Sequence, residues 1–350
     1  MTGRQIDFGR RTLVLRTRTG SFSGRLEVRT GLVCAALALT GILVALVSLG
    51  AGDFALSLPD VLTALVGRGS PAAQMVVLEW RLPRVLLALL LGAALGVSGA
   101  IFQSLTRNPL GSPDIIGFNT GAYTGALVVI LLAGGGYYLT ALGALCGGIA
   151  TAALVYLFAF RGGAHGFRLI IVGIAVSAVL ASVNSWLIIK AELDDAIVAA
   201  VWGAGSLNGT SFEQALPVAG LLAVLLPVIV LLAPRLRTLE LGDDAAAALG
   251  LSPERTRLVF ILLGVAVTAL VTAAAGPIAF VSLAAPQLAR FVTRSASVAI
   301  VPSALMGAVL LAGSDLLAQR LFAPTQLPVG IVTVCVGGCY LVWLLARNTR

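Results

Sequence analysis

Three groups of residues carry polar chemistry in an otherwise apolar sequence of 350 residues. Arg81 and Arg84 flank a proline in RLPR, and Arg320 stands far downstream in QRLFAPTQLPVG. A guanidinium offers a planar fork that suits carboxylates, so these arginines fit an acidic partner or an anionic substrate. Anchoring in lipid headgroups is the plainer alternative. The second group lies in RLRTLELGDDAAAALGLSPERTR, residues 235–257. Asp243 and Asp244 suit a helix N-terminus by capping and by charge, the alanines propagate a helix, and Gly250 can end it. The short helix would present Leu241 and Leu249 beside Gly242, either as anchors in a partner's groove or as an ordinary amphipathic loop. The third group is polar side chains inside apolar runs: Ser177, Asn184 and Ser185 in one, and Asn119 and Thr120, with Gln103 and Tyr123, near another. Such residues line pathways, and they also bond neighbouring helices.

Several chemistries are missing. No segment fits the phosphate-cradling G-x-x-x-x-G-K-[ST], and the single lysine, Lys190, follows NSWLII. No nucleophile–base constellation or carboxylate pair stands out. Cys34, Cys146, Cys335 and Cys339 fall inside apolar runs without metal-ligand spacing and are expected as small core residues. His165 sits alone in a polar loop. No metal and no cofactor is therefore expected on this chain.

The elements that must hold these residues are membrane helices. The chain is 59% hydrophobic and 11% charged, with mean hydropathy +1.02, whereas a soluble domain carries about 25% charged residues. The net charge of +8 is spread over short loops, which argues against a nucleic-acid partner. Residues 1–30, with seven arginines, are expected as a disordered basic cytoplasmic tail, and 31–350 as the transmembrane domain. Ten spans are expected, at about 31–49, 85–105, 118–133, 138–160, 167–189, 217–234, 256–275, 278–293, 298–319 and 328–346. The tightest junction is at Gly276-Pro277. Gly92, Gly96 and Gly99 share one side of the second span, where a neighbouring helix can approach closely. With the N-terminus inside, 18 of the 23 arginines and lysines fall on the cytoplasmic side, which predicts both termini inside. The middles of the spans hold no ionisable residue. That disfavours a proton-coupled pump and, less strongly, a sodium symporter.

From about residue 75 onward the sequence resembles the FecCD-type permeases, subunits of bacterial ABC importers for iron–siderophore complexes, haem and vitamin B12. The resemblance rests on RLPR, GAALGVSGAIFQSL, RNPLGSPD, GFNTGA, FRLIIVGIAVSA, GSLNG, LGDDAAAALGLSPERTRL, AGPIAFVSLAAPQLAR and QLPVGIVTVCVGG. It is most similar to permeases for catecholate siderophores of the ferric-enterobactin type. The resemblance implies an all-α bundle of about ten transmembrane helices in the inner membrane. It implies a coupling helix at about 240–251, comprising Leu241, Gly242, Asp243, Asp244, Leu249 and Gly250, that enters a groove on a separate ATPase holding ATP and Mg. It implies that Arg81, Arg84 and Arg320 receive acidic residues of a periplasmic or lipid-anchored binding protein. Ser177, Asn184, Ser185, Asn119 and Thr120 become candidates for the translocation path. A second FecCD-type permease, expected as a paralogue in a heterodimer, and two ATPases complete the implied assembly. Gln287 departs from the pattern, standing where the family often has histidine. Hydroxamate siderophores, haem or vitamin B12 are alternative cargoes. A secondary transporter and a non-transporting receptor are the competing classes.

Overall fold

In lipid, backbone N–H and C=O groups are satisfied either in a helix or in a closed barrel, and continuous apolar runs without a barrel strand's alternation form helices. The structure, a computed structural model, describes residues 12–16, 23–159, 166–295 and 297–348. In chain order the elements are strands β1 (Thr12–Arg16) and β2 (Ser23–Glu27), then helices α1 (Val28–Gly50), α2 (Leu58–Leu65), α3 (Pro71–Gln74), α4 (Leu82–Thr106), α5 (Phe118–Ala133) and α6 (Tyr137–Ala159). They continue with α7 (Gly166–Lys190), α8 (Leu193–Gly203), α9 (Phe212–Glu240), α10 (Asp243–Ala248), α11 (Pro253–Ala275), α12 (Val281–Thr293), α13 (Ile300–Arg320) and α14 (Val329–Asn348). Between α3 and α4 the chain widens into a π-helix over Met75–Arg81, where Leu82 N–H bonds the Val77 carbonyl. That loosened turn directly precedes Pro83, which cannot donate to the helical ladder.

Helix α4 is the axis of the bundle. Twenty of its 25 residues are buried, with α13, α12, α11 and α9 packed around it. The glycines expected to allow close approach do so. A Cβ on Gly92 would strike the Gly307 carbonyl, one on Gly96 the Ser303 carbonyl, and one on Gly99 the Ser282 carbonyl of α12. A second seam joins α5 to α6 through Gly121 and Gly125 against Gly143 and Gly147.

Helices occupy all ten expected runs, but seven among the described residues are long and apolar enough to cross a bilayer alone. The expected span at 278–293 is the clearest correction. Gly276 (φ +72°) ends α11, and α12 starts only at Val281. Its 13 residues reach about 20 Å, short of a roughly 30 Å hydrocarbon core. It is a half-span whose N-terminus starts at the depth of Gly99.

Three further expectations change. The tail expected to be disordered includes β1 and β2, paired antiparallel with Leu13 opposite Leu26. The run TLVLR has strand-forming residues enough to pair with SGRLE, and α1 begins at Val28 instead of Gly31. Residues 1–11 and 17–22 of that tail, and His165, lie outside the described residues. The helix expected at 240–251 is α10, six residues long, because Gly242 (φ +115°) and Gly250 (φ +78°) interrupt it at both ends. Cys146, Cys335 and Cys339 are exposed on outward helix faces, not in the core.

Candidate functional site

At the end of the bundle where α9 turns into α11, α10 lies on the surface with only Ala246 buried, in the main core. Leu241 and Leu249 flank it at 67% and 68% exposure, so both expected anchors are free of the chain's own core. Asp243 and Asp244 are both exposed, but Asp243 reaches back to the bundle. Its carboxylate accepts from Arg257 Nη2 of α11 at 2.9 and 3.1 Å and from Arg107 Nη2 at 3.1 Å. Arg107 caps α4 in a left-handed conformation (φ +50°) and also donates to the Leu239 carbonyl in the last turn of α9. Nearby, Ser104 donates to Glu240 at 2.6 Å. The contacts of Arg107, Arg257 and Glu240 were hidden in the sequence, where they stand among other arginines and acids of the loops.

Midway along the bundle, Asn119, Thr120, Tyr123, Asn184, Ser185 and Pro277 line an open cavity of about 340 Å³. Four of the five expected path residues thus converge, brought together by α5 and α7. Asn184 is 4% exposed; its amide donates to the Thr120 carbonyl at 3.4 Å, and its Oδ1 has no partner. Ser177 does not join them. Its hydroxyl returns to the Gly173 carbonyl and it packs on Gly117. Tyr123 closes the outer end, stacking on Trp202 at 6.1 Å and donating to the Ala199 carbonyl of α8.

The inner end of the cavity is set by the turn 107–117. Asp114 accepts from Asn119 Nδ2 at 2.6 Å, from Ser282 Oγ at 2.6 Å and from Phe280 N–H at 3.2 Å. It thereby caps α12 from another segment, where Phe280 (φ +69°) leaves the helix N-terminus open. Asn119 Oδ1 in turn accepts from Thr272 of α11. Removal from water raises the Asp114 carboxyl from 3.8 to about 6, while its three hydrogen bonds favour the charged form and oppose the shift. Gln287 also ties α12 to this turn, donating to the Pro109 carbonyl at 2.7 Å.

Taken together, a buried axial helix, a half-span at mid-depth and a short exposed helix on the inner face can be compared with known proteins. The model of the FecCD transport family matches residues 37–347. The chain belongs to the FecCD transport family.

Among FecCD relatives, the ferric enterobactin transport system permease protein FepG of Escherichia coli is 52% identical over 302 residues, covering 86% of this chain and 92% of that protein. The achromobactin transport system permease protein CbrC of Dickeya dadantii is 36% identical over 339 residues, covering 96% of this chain and 97% of that protein. A solved chain described as a metal-chelate type ABC transporter in an inward-facing conformation superposes with TM-score 0.81 at 28% identity, covering 91% of this chain and 99% of that one.

The three arginines that RLPR and QRLF supply differ in their surroundings. Arg84 is 9% exposed and engages Asp315 of α13 with Nε at 3.0 Å and Nη2 at 2.9 Å. Its Nη1 donates to Gln326 at 2.7 Å, so its guanidinium is occupied within the chain, with a small exposed edge on the cavity it shares with Arg81. Arg81 donates to the carbonyls of Leu49 and Phe54 at 2.7 and 2.8 Å, closing the C-terminal end of α1. It also borders an outer cavity of about 510 Å³ with Asp53, Glu79 and Trp80. Arg320 remains exposed at the end of α13. The signal for Arg84's true partner was Asp315 itself, an acid inside an apolar run, which requires a cation in reach.

Proposed function

We propose that this chain is the permease subunit of an ABC importer that carries a ferric catecholate siderophore, of the ferric enterobactin type, across the cytoplasmic membrane. The observation that carries this reading is the 52% identity to FepG over 302 residues. The α4–α13 and α5–α6 glycine seams that build this fold lie inside the matched family region.

The energy comes from a separate ATPase that binds ATP and Mg; α10 with Leu241 and Leu249 docks into it, and the cavity beside Asn184 belongs to the path. Helix α7 supports a path shared between subunits. Its apolar window is only 17% buried, and Val179, Trp186 and Ile189 stand bare. A second FecCD-type permease, a paralogue, covers that face, and two ATPases complete the importer. On the outer side, Arg320 and the exposed part of Arg81 meet acidic residues of a substrate-binding protein. The positive-inside count supports an orientation with both termini in the cytoplasm.

The test is uptake of radio-iron by cells lacking this gene, supplied in turn with catecholate, hydroxamate and haem iron. Loss confined to catecholate iron, restored by the gene, is the expected result. Loss confined to another source transfers the reading to that cargo, and unchanged uptake from all of them removes the iron assignment.

A further inference from the structure

We infer that Asp243, gripped by Arg107 and Arg257, is the strut through which movement of the α10 helix is passed to α4 and α11. The inference rests on the transport reading above and adds the residues that would transmit the stroke.

Helix α10 is poorly attached by packing. Of its six residues only Ala246 is buried, and the glycines at its ends have open space around them and left-handed backbones, Gly242 at φ +115° and Gly250 at φ +78°. Two such residues let a short helix swivel without strain. Packing therefore ties α10 to the bundle at one point, Ala246 in the main core. The Asp243 carboxylate adds a second tether, covered on the Arg257 side (11% exposed) and about half exposed between Asp243 and Arg107 (47% and 51%). Its Oδ1 is 2.9 Å from Arg257 Nη2 and 3.1 Å from Arg107 Nη2, and Oδ2 is 3.1 Å from Arg257 Nη2. Each arginine leads to a different helix. Arg107 ends α4, the buried axis that meets α12 and α13 through Gly99, Gly96 and Gly92. Arg257 sits in the second turn of α11, with its side chain 11% exposed, and α11 carries Thr272 of the Asn119–Asp114 network at its far end. One carboxylate thus joins the exposed helix to the two helices that lead toward the cavity and the half-span. Charge-assisted bonds from two guanidiniums hold direction as well as distance, which suits a strut.

Burial separates this role from docking. Arg257 is too covered to touch a partner protein, so its replacement affects transmission and leaves the docking surface intact. The experiment uses the complete transporter in proteoliposomes with its partner subunits, and compares Arg257→Gln, Asp243→Ala and Asp243→Glu with the parent. Association with the ATPase, ATP hydrolysis and substrate uptake are read separately. For Arg257→Gln we expect association and hydrolysis within about twofold of the parent and at least a tenfold fall in uptake per ATP consumed. Asp243→Ala should uncouple at least as strongly, and Asp243→Glu should recover most of the coupling. Parental uptake per ATP in both Arg257→Gln and Asp243→Ala would overturn the strut. So would a fall that only follows lost association. Absence of ATP-driven uptake in the parent would instead remove the transport reading, and the strut with it.

Discussion

Arg84 of α4 and Asp315 of α13 form a buried bidentate ion pair, with Nη2 to Oδ1 at 2.9 Å, between two helices already held at backbone contact by Gly92, Gly96 and Gly307. Asp315 is 2% exposed and takes a further bond from Gln319. The pair is therefore a clamp across the central helix packing.

Breaking the clamp leaves a buried charge without its partner, which costs about 3–5 kcal/mol. Arg84→Ala and Asp315→Ala should each lower the thermal midpoint of the purified protein sharply. The double variant Arg84→Met with Asp315→Leu should recover most of the loss, because it removes both charges. A single variant as stable as the parent would contradict the clamp.

The glycine seam makes a second prediction. Gly92→Leu must push α4 from α13, since its Cβ would meet the Gly307 carbonyl, the Leu311 Cβ and the Ala308 backbone; overpacking of this kind costs about 1–3 kcal/mol. Gly313 lies on the same α13 with open space around it, so Gly313→Leu should be near neutral. Equal melting shifts in the two variants would show that the seam is not a close contact.

These two predictions mark what the sequence made legible. Run length and glycine spacing follow from bilayer thickness and helix periodicity, so ten helical runs and the close face of α4 could be read along the chain. Asp315 within an apolar run signalled the need for a cation, but not which one, because 231 residues separate it from Arg84 and no local pattern links them. Arg84 therefore looked like a docking residue. The half-length of α12 was hidden for a related reason. The residues of 278–293 are apolar enough for a span, but the helix start is set by Asp114 reaching over from another turn. Leu241 and Leu249 were legible because glycines and alanines leave them nothing of their own to pack on.

Asp114 should confer a measurable pH dependence. Its folded-state value of about 6 lies above the ordinary 3.8, so the folded protein holds this proton more tightly than the unfolded chain. The resulting stabilisation is complete below about pH 4 and is lost as pH rises through about 6. Thermal midpoints measured across that window should fall more in the parent than in Asp114→Asn, which cannot titrate there. Identical slopes would assign the titration elsewhere.

The α10 flanks test the docking surface. Leu241→Asp and Leu249→Asp replace exposed leucines, so stability should change by less than about 0.5 kcal/mol. Association with the ATPase partner should weaken by at least about tenfold, as for loss of an apolar anchor. Undiminished co-purification of both variants would move the docking surface away from α10.

The central claim is that this FecCD chain moves a ferric catecholate at the expense of ATP hydrolysed by another subunit. Proteoliposomes holding the permease pair and ATPase, with the binding protein outside and ATP inside, measure it directly as accumulated radio-iron. The account predicts accumulation from the ferric catecholate that stops when ATP is withheld and persists when ionophores dissipate proton and sodium gradients. Uptake that ignores ATP and collapses with an ionophore would contradict it.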